Sequence, residues 1–125
     1  MGAAWVYTRS NGAWTQQGPK LVGDDGVGGG GQGISVALSA DGNTAIVGGP
    51  SDNFVTGAAW VFTRSGGVWT QQGDKLVGTG AVGSDVFQGA SVTLSADGNR
   101  AGQLAIVGRL TAGSSLNGAM VSRVM

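Results

Sequence analysis

Residues 2–23, GAAWVYTRSNGAWTQQGPKLVG, return at residues 57–78 as GAAWVFTRSGGVWTQQGDKLVG, with Trp5 over Trp60 and Trp14 over Trp69, an offset of 60 − 5 = 55 residues. A period of this length marks a repeated supersecondary unit, and such units bury their apolar surface chiefly against their neighbours. The fold therefore depends on how one unit reads and on how many units the chain holds.

The central unit reads as four strands. In ISVALS, Ile34, Val36 and Leu38 alternate with Ser35, Ala37 and Ser39 at a period of two, and Asp41-Gly42-Asn43 supplies a short hairpin turn. Thr44 to Gly48 (TAIVG) reads as a buried second strand, ended at Pro50, which has no N–H to give to a ladder. Gly57 to Arg64 is the third strand, Ser65-Gly66-Gly67 the next tight turn, and Val68 to Gln72 the fourth strand, followed by a glycine break at Gly73 and then KLVG. The pattern predicts an all-β antiparallel meander.

On this phasing residues 1–125 are a single repeat array. Residues 2–23 are the second half of a unit, 34–78 a complete unit, and 89–125 the first half of another plus a degraded third strand. That last strand, GAMVSRVM, starts at Gly118 and puts Met120 in line with Ala59 or Trp60; four extra residues lengthen the hairpin after Asn99. The linkers 24–33 and 79–89 are glycine-rich, so the first is expected to be mobile and the second to be pinned by Phe87.

Composition narrows the chemistry. Twenty-six glycines among 125 residues leave few side chains for a core. All the acids are aspartate and the lysines are Lys20 and Lys75 alone, so exposed-helix formers are scarce. Seven basic residues cancel seven acidic ones without forming a stripe, which argues against nucleic acid as a partner. With no histidine and no cysteine, the commonest general base, the commonest zinc ligand and any thiolate are missing, so no cofactor or metal is expected; the lack of cysteine leaves the compartment open. Behind Met1 stands no charged or apolar leader, and no apolar run is long enough to span a bilayer, so membrane insertion is not expected.

Several residues invite a functional reading. Gly28, Gly30 and Gly33 have dinucleotide-loop spacing, but the period-two segment that follows is a strand rather than a helix, so they read as linker. Trp5 and Trp60, each behind paired alanines, read as core packing. Trp14 and Trp69, on the last strand of their units, are the candidate ligand platforms, with Gln16 and Gln71 beside them. The pairs Gln16-Gln17 and Gln71-Gln72 are placed either to bridge strand ends or to bind sugar hydroxyls. Asp24-Asp25 and Asp85 read as solvated loop charge, because no base stands beside them. The serines lack a base too, and no catalytic residue is assigned.

The segments GISVALSADGNTAIVGGP and GAAWVFTR, with Phe87-Gln88-Gly89-Ala90-Ser91-Val92, resemble the FG-GAP repeat family, the blades of integrin-alpha-type β-propellers, and are most similar to bacterial FG-GAP-like repeats. The resemblance implies four-stranded propeller-like blades, about two in this chain, and a secreted or cell-surface setting. The calcium loop of many such blades does not carry over, since Asp41-Gly42-Asn43 offers one carboxylate where a hard cation needs six to eight oxygens.

A propeller needs about four to eight blades, so the array is expected to stay open, to associate with itself, or to belong to a larger propeller. The complementary halves suggest head-to-tail pairing, with residues 90–108 of one chain on Gly2 to Gly23 of the next and Gly118 to Val124 competing for the same edge. The expected function is a non-enzymatic scaffold for interaction or adhesion, with a protein or glycan partner. The alternative is a lectin-like, carbohydrate-binding propeller using Trp14, Trp69, Gln16 and Gln71.

Overall fold

The computed structural model describes residues 2–80 and 85–95, together with the backbone of residues 102–109 and 117–124. Its strands fall into three antiparallel sheets that follow the repeat phase. A two-stranded sheet holds β1 (Tyr7–Ser10) and β2 (Ala13–Gln16). A four-stranded sheet holds β3 (Ser35–Leu38), β4 (Thr44–Gly49), β5 (Ala58–Ser65) and β6 (Val68–Gln71) in sequential order. A three-stranded sheet holds β7 (Ser91–Leu94), β8 (Gly102–Arg109) and β9 (Asn117–Val124). Among the described residues no sheet closes on itself.

The turns follow from local chemistry. Asn11 and Gly12 have φ of 51° and 81°, and Gly66 and Gly67 have 58° and 78°. Two successive residues at positive φ match the twist of a tight hairpin, which is why Asn-Gly and Gly-Gly stand there. The β3–β4 hairpin is longer than Asp41-Gly42 suggested. Its last ladder pair is Leu38 with Ala45, and the Ser39 N–H donates to the Thr44 carbonyl at 2.9 Å, leaving four residues in the loop. Asp41 holds that loop: its Oδ1 accepts from the Ser39 hydroxyl at 2.6 Å and from the Asn43 N–H at 2.9 Å.

Between β4 and β5 the turn Asp52–Val55 runs left-handed, with φ of 48°, 53° and 60° at Asn53, Phe54 and Val55. None of these is glycine, so the turn carries backbone strain.

The central sheet is packed on both faces. On one, Val47, Ala58, Trp60 and Phe62 meet Leu21, with Ala4 and Val6 of the first unit against them. On the other, Ile46, Ala59 and Val61 meet Val92 and Leu94 of β7. The units are thus stacked sheet on sheet. The contact is repeated: a Cβ on Gly2 would collide with the Gln32 carbonyl, and one on Gly57 with the Gln88 carbonyl.

Trp60 is fully buried, as expected, whereas its counterpart Trp5 is 55% exposed. That overturns the core assignment of Trp5, and the cause is pairing. Trp60 lies opposite Val47 in the β4 ladder, while β1 pairs with β2 alone.

In the last unit β9 pairs with β8 over eight residues, so it holds the edge that head-to-tail pairing would give to a neighbour. Met120 lies opposite Ile106, the place Val61 takes opposite Ile46, and not in line with Ala59 or Trp60. Ala119, opposite Val107, stands where Trp60 stands opposite Val47. Of the lengthened hairpin after Asp97, residues 96–101 fall outside the described residues, while Gly102 and Gln103 begin β8, opposite Val124 and Arg123.

Candidate interaction surfaces

Two grooves lie along the first unit. The outer one, about 310 Å³, is lined by Trp69 and Gln71 with Gln17, Lys20, Asp24 and Phe62. Trp14 and Gln16 do not line it; Trp14 stands 64% exposed on β2. The candidate platforms are therefore not brought together.

Each tryptophan carries an arginine above its ring, Arg9 at 5.9 Å from the Trp14 centroid and Arg64 at 5.6 Å from that of Trp69. The Trp69 indole N–H donates to Gln17 Oε1 at 3.0 Å, an oxygen that also accepts from Arg64 at 3.3 Å. Gln16 and Gln71 bridge strand ends: each donates its amide to a carbonyl two residues on, Gly18 and Gly73, at 2.9 Å. Gln71 Oε1 further accepts from the Asp24 N–H at 2.7 Å. The polar ends around Trp69 are thus engaged within the protein.

The linkers are anchored more firmly than their glycines suggested. Gln32, 8% exposed, accepts from the Gly23 N–H at 2.6 Å and donates to the Gly23 carbonyl at 3.1 Å. Gln88, fully buried, does the same to Gly78 at 2.7 and 3.3 Å. Each glutamine staples the end of a linker to its beginning, and the missed signal was its recurrence before Gly33 and Gly89. Phe87 also contributes to the second linker, through its backbone N–H to the Val55 carbonyl at 2.9 Å.

Asp25 is not free loop charge either. Its Oδ1 accepts from the Trp60 indole at 3.2 Å and its Oδ2 from the Lys75 N–H at 3.3 Å.

Asp52 had no sequence signal, having no second copy. It is fully buried, with Oδ2 2.7 Å from Lys75 Nζ and Oδ1 accepting the Val27 N–H at 2.6 Å. A buried carboxylate needs such partners to remain charged. Asp41, by contrast, is exposed; the Ser39 hydroxyl, the Asn43 N–H and Arg64 hold its carboxyl below the ordinary 3.8. Among the described residues no three His, Cys, Asp or Glu side chains gather to hold a metal, and no helix is long and apolar enough to cross a membrane.

The second groove, about 360 Å³, opens at the free edge of the first unit. Trp5 and Tyr7 form one wall and Val36 and Leu38 the other, each more than half exposed. These four side chains form an apolar patch that the stacked sheets leave uncovered, and patches of this kind mark interaction sites.

No protein-family model, no curated protein and no solved structure matches the chain.

Proposed function

We propose that the chain is a non-enzymatic repeat scaffold that presents stacked β-sheet surfaces to a macromolecular partner. Its units are read as blades of the FG-GAP kind, with an adhesion-type role by that resemblance. One observation carries the scaffold reading: the same inter-unit contact recurs at Gly2 with Gln32 and at Gly57 with Gln88, each beside a glutamine staple. Two of the aspartates serve the stack itself, Asp25 at Trp60 and Asp52 at Lys75.

A glycan-binding alternative rests on Trp14, a residue 64% exposed with Arg9 over one face of its ring, so that a sugar would stack on the other. The two readings separate in one pair of measurements. The scaffold reading expects Gln88→Ala to cause a cooperative loss of stability and a labelled chain to give no Trp14-dependent signal on a glycan array. An array signal abolished by Trp14→Ala would transfer the function to the lectin reading, and unchanged stability in Gln88→Ala would remove the stacked-array argument.

A further inference from the structure

We infer that the open edge of the first unit docks the first-half hairpin of another repeat unit, of the sequence type of residues 33–56, and that the Asp52 counterpart in that hairpin pairs with Lys20. The inference rests on the stacked-array reading and specifies the partner. Three independent features at the same edge support it, each found by comparing the first unit with the central one.

The backbone is the first. β5 is hydrogen-bonded along both edges, to β4 and to β6, with Phe62 opposite Ala45 and Thr63 opposite Thr44. The counterparts in β1, Tyr7 and Thr8, face only β2. An unpaired strand edge is a template for another strand.

The apolar face is the second. Val92 and Leu94 are half-buried against Ile46, Ala59 and Val61. Their counterparts Val36 and Leu38 are 58% and 57% exposed, and Trp5 is 55% exposed where Trp60 is fully buried. A hairpin like β3–β4 beside β1 sets its Ile46 counterpart against Val36 and Leu38 and its Val47 counterpart opposite Trp5.

Charge is the third, and it selects the sequence type. Lys75 is paired with buried Asp52, whereas Lys20, in the same KLVG context, is exposed and makes no ion pair among the described residues. The 33–56 segment carries the needed acid. The corresponding segment of the last unit does not, since no aspartate follows Asp97.

The test is a fused chain in which residues 33–56 are duplicated directly ahead of Gly2, a junction that reproduces Thr56-Gly57. Acrylamide quenching of tryptophan fluorescence is expected to fall about threefold for the Trp5 component, identified by its loss in Trp5→Phe. Asp52→Asn in the added copy should abolish most of the gain in melting temperature. As a second measurement, free peptide 33–56 should give a saturable Trp5 shift, with peptide 89–109 at least tenfold weaker. Unchanged Trp5 quenching in the fused chain, or equal binding of the two peptides, overturns the inference. If Gln88→Ala still unfolds the chain while Trp5 stays exposed in the fusion, the docking inference alone fails; if Gln88→Ala has no effect, the stacked-array reading fails with it.

Discussion

Removing Lys75 should cost more than removing its partner, and removing Lys20 should cost almost nothing. Lys75 and Asp52 form an ion pair of 2.7 Å in which the lysine side chain is 18% exposed and the aspartate 0%. Lys75→Met leaves a carboxylate wholly inside the protein with only the Val27 N–H to face it. Breaking a buried pair in this way costs about 3–5 kcal/mol. Asp52→Asn keeps an oxygen for the Val27 N–H, and the stranded ammonium can reach water, so the cost falls to about 2–3 kcal/mol on the same scale. The double variant should recover at least about 1.5 kcal/mol relative to the sum of the singles. Lys20→Met, lacking an acid partner, should stay within about 0.5 kcal/mol of the parent. The assay is urea unfolding followed by tryptophan fluorescence, which reports on Trp60 beside the pair. A coupling below about 0.5 kcal/mol, or a Lys20 variant as damaged as the Lys75 variant, would refute the argument.

Trp60→Ala should lose about 3–5 kcal/mol and Trp5→Ala less than about 1 kcal/mol, read by chemical denaturation; equal losses would mean that the two copies pack alike. Phe54 is 90% exposed at φ 53°, so Phe54→Gly should relieve strain and raise stability by about 0.5–1 kcal/mol in thermal melts, and a lower melting temperature would count against the left-handed turn. Asp41 has a carboxyl held below 3.8 in the folded chain, first by the Ser39 hydroxyl. Its stabilisation is therefore complete above the unfolded-state value and lost as pH falls through the lower folded-state value. Unfolding curves taken from neutral pH to below 3.8 should decline more steeply for the parent than for Asp41→Asn, and parallel declines would remove Asp41 as the loop's pH-sensitive anchor.

The meander of the central unit was legible because alternation, turn residues and proline agree along residues 34–72. Burial was not. Val36 and Leu38 in β3 follow the same alternation as Val92 and Leu94 in β7, yet the first pair is exposed and the second half-buried. A strand in a stacked array is buried by its neighbour and not by its own pattern, so identical segments acquire opposite environments. Trp5 and Trp60 differ for that reason. Gln32 and Gln88 were obscured by glycine, although extending the repeat alignment through the linkers exposes both. Asp52 and the left-handed turn after it left no trace, since that segment occurs once and contains none of the residues that favour positive φ without cost apart from Asn53.

The glutamine staples have a consequence for how such an array tolerates change. Gln32 reaches back nine residues to Gly23, and Gln88 reaches back ten to Gly78, yet both close on the same pair of backbone atoms. Each clamp fixes the two feet of a loop, across separations that differ by one residue. An insertion into the first linker would therefore have to fall at Gly28-Gly29, where an added Cβ meets nothing within 4 Å, clear of Asp24, Asp25, Val27 and Gly30, which are hydrogen-bonded to Gln71, Trp60, Asp52 and Ser51.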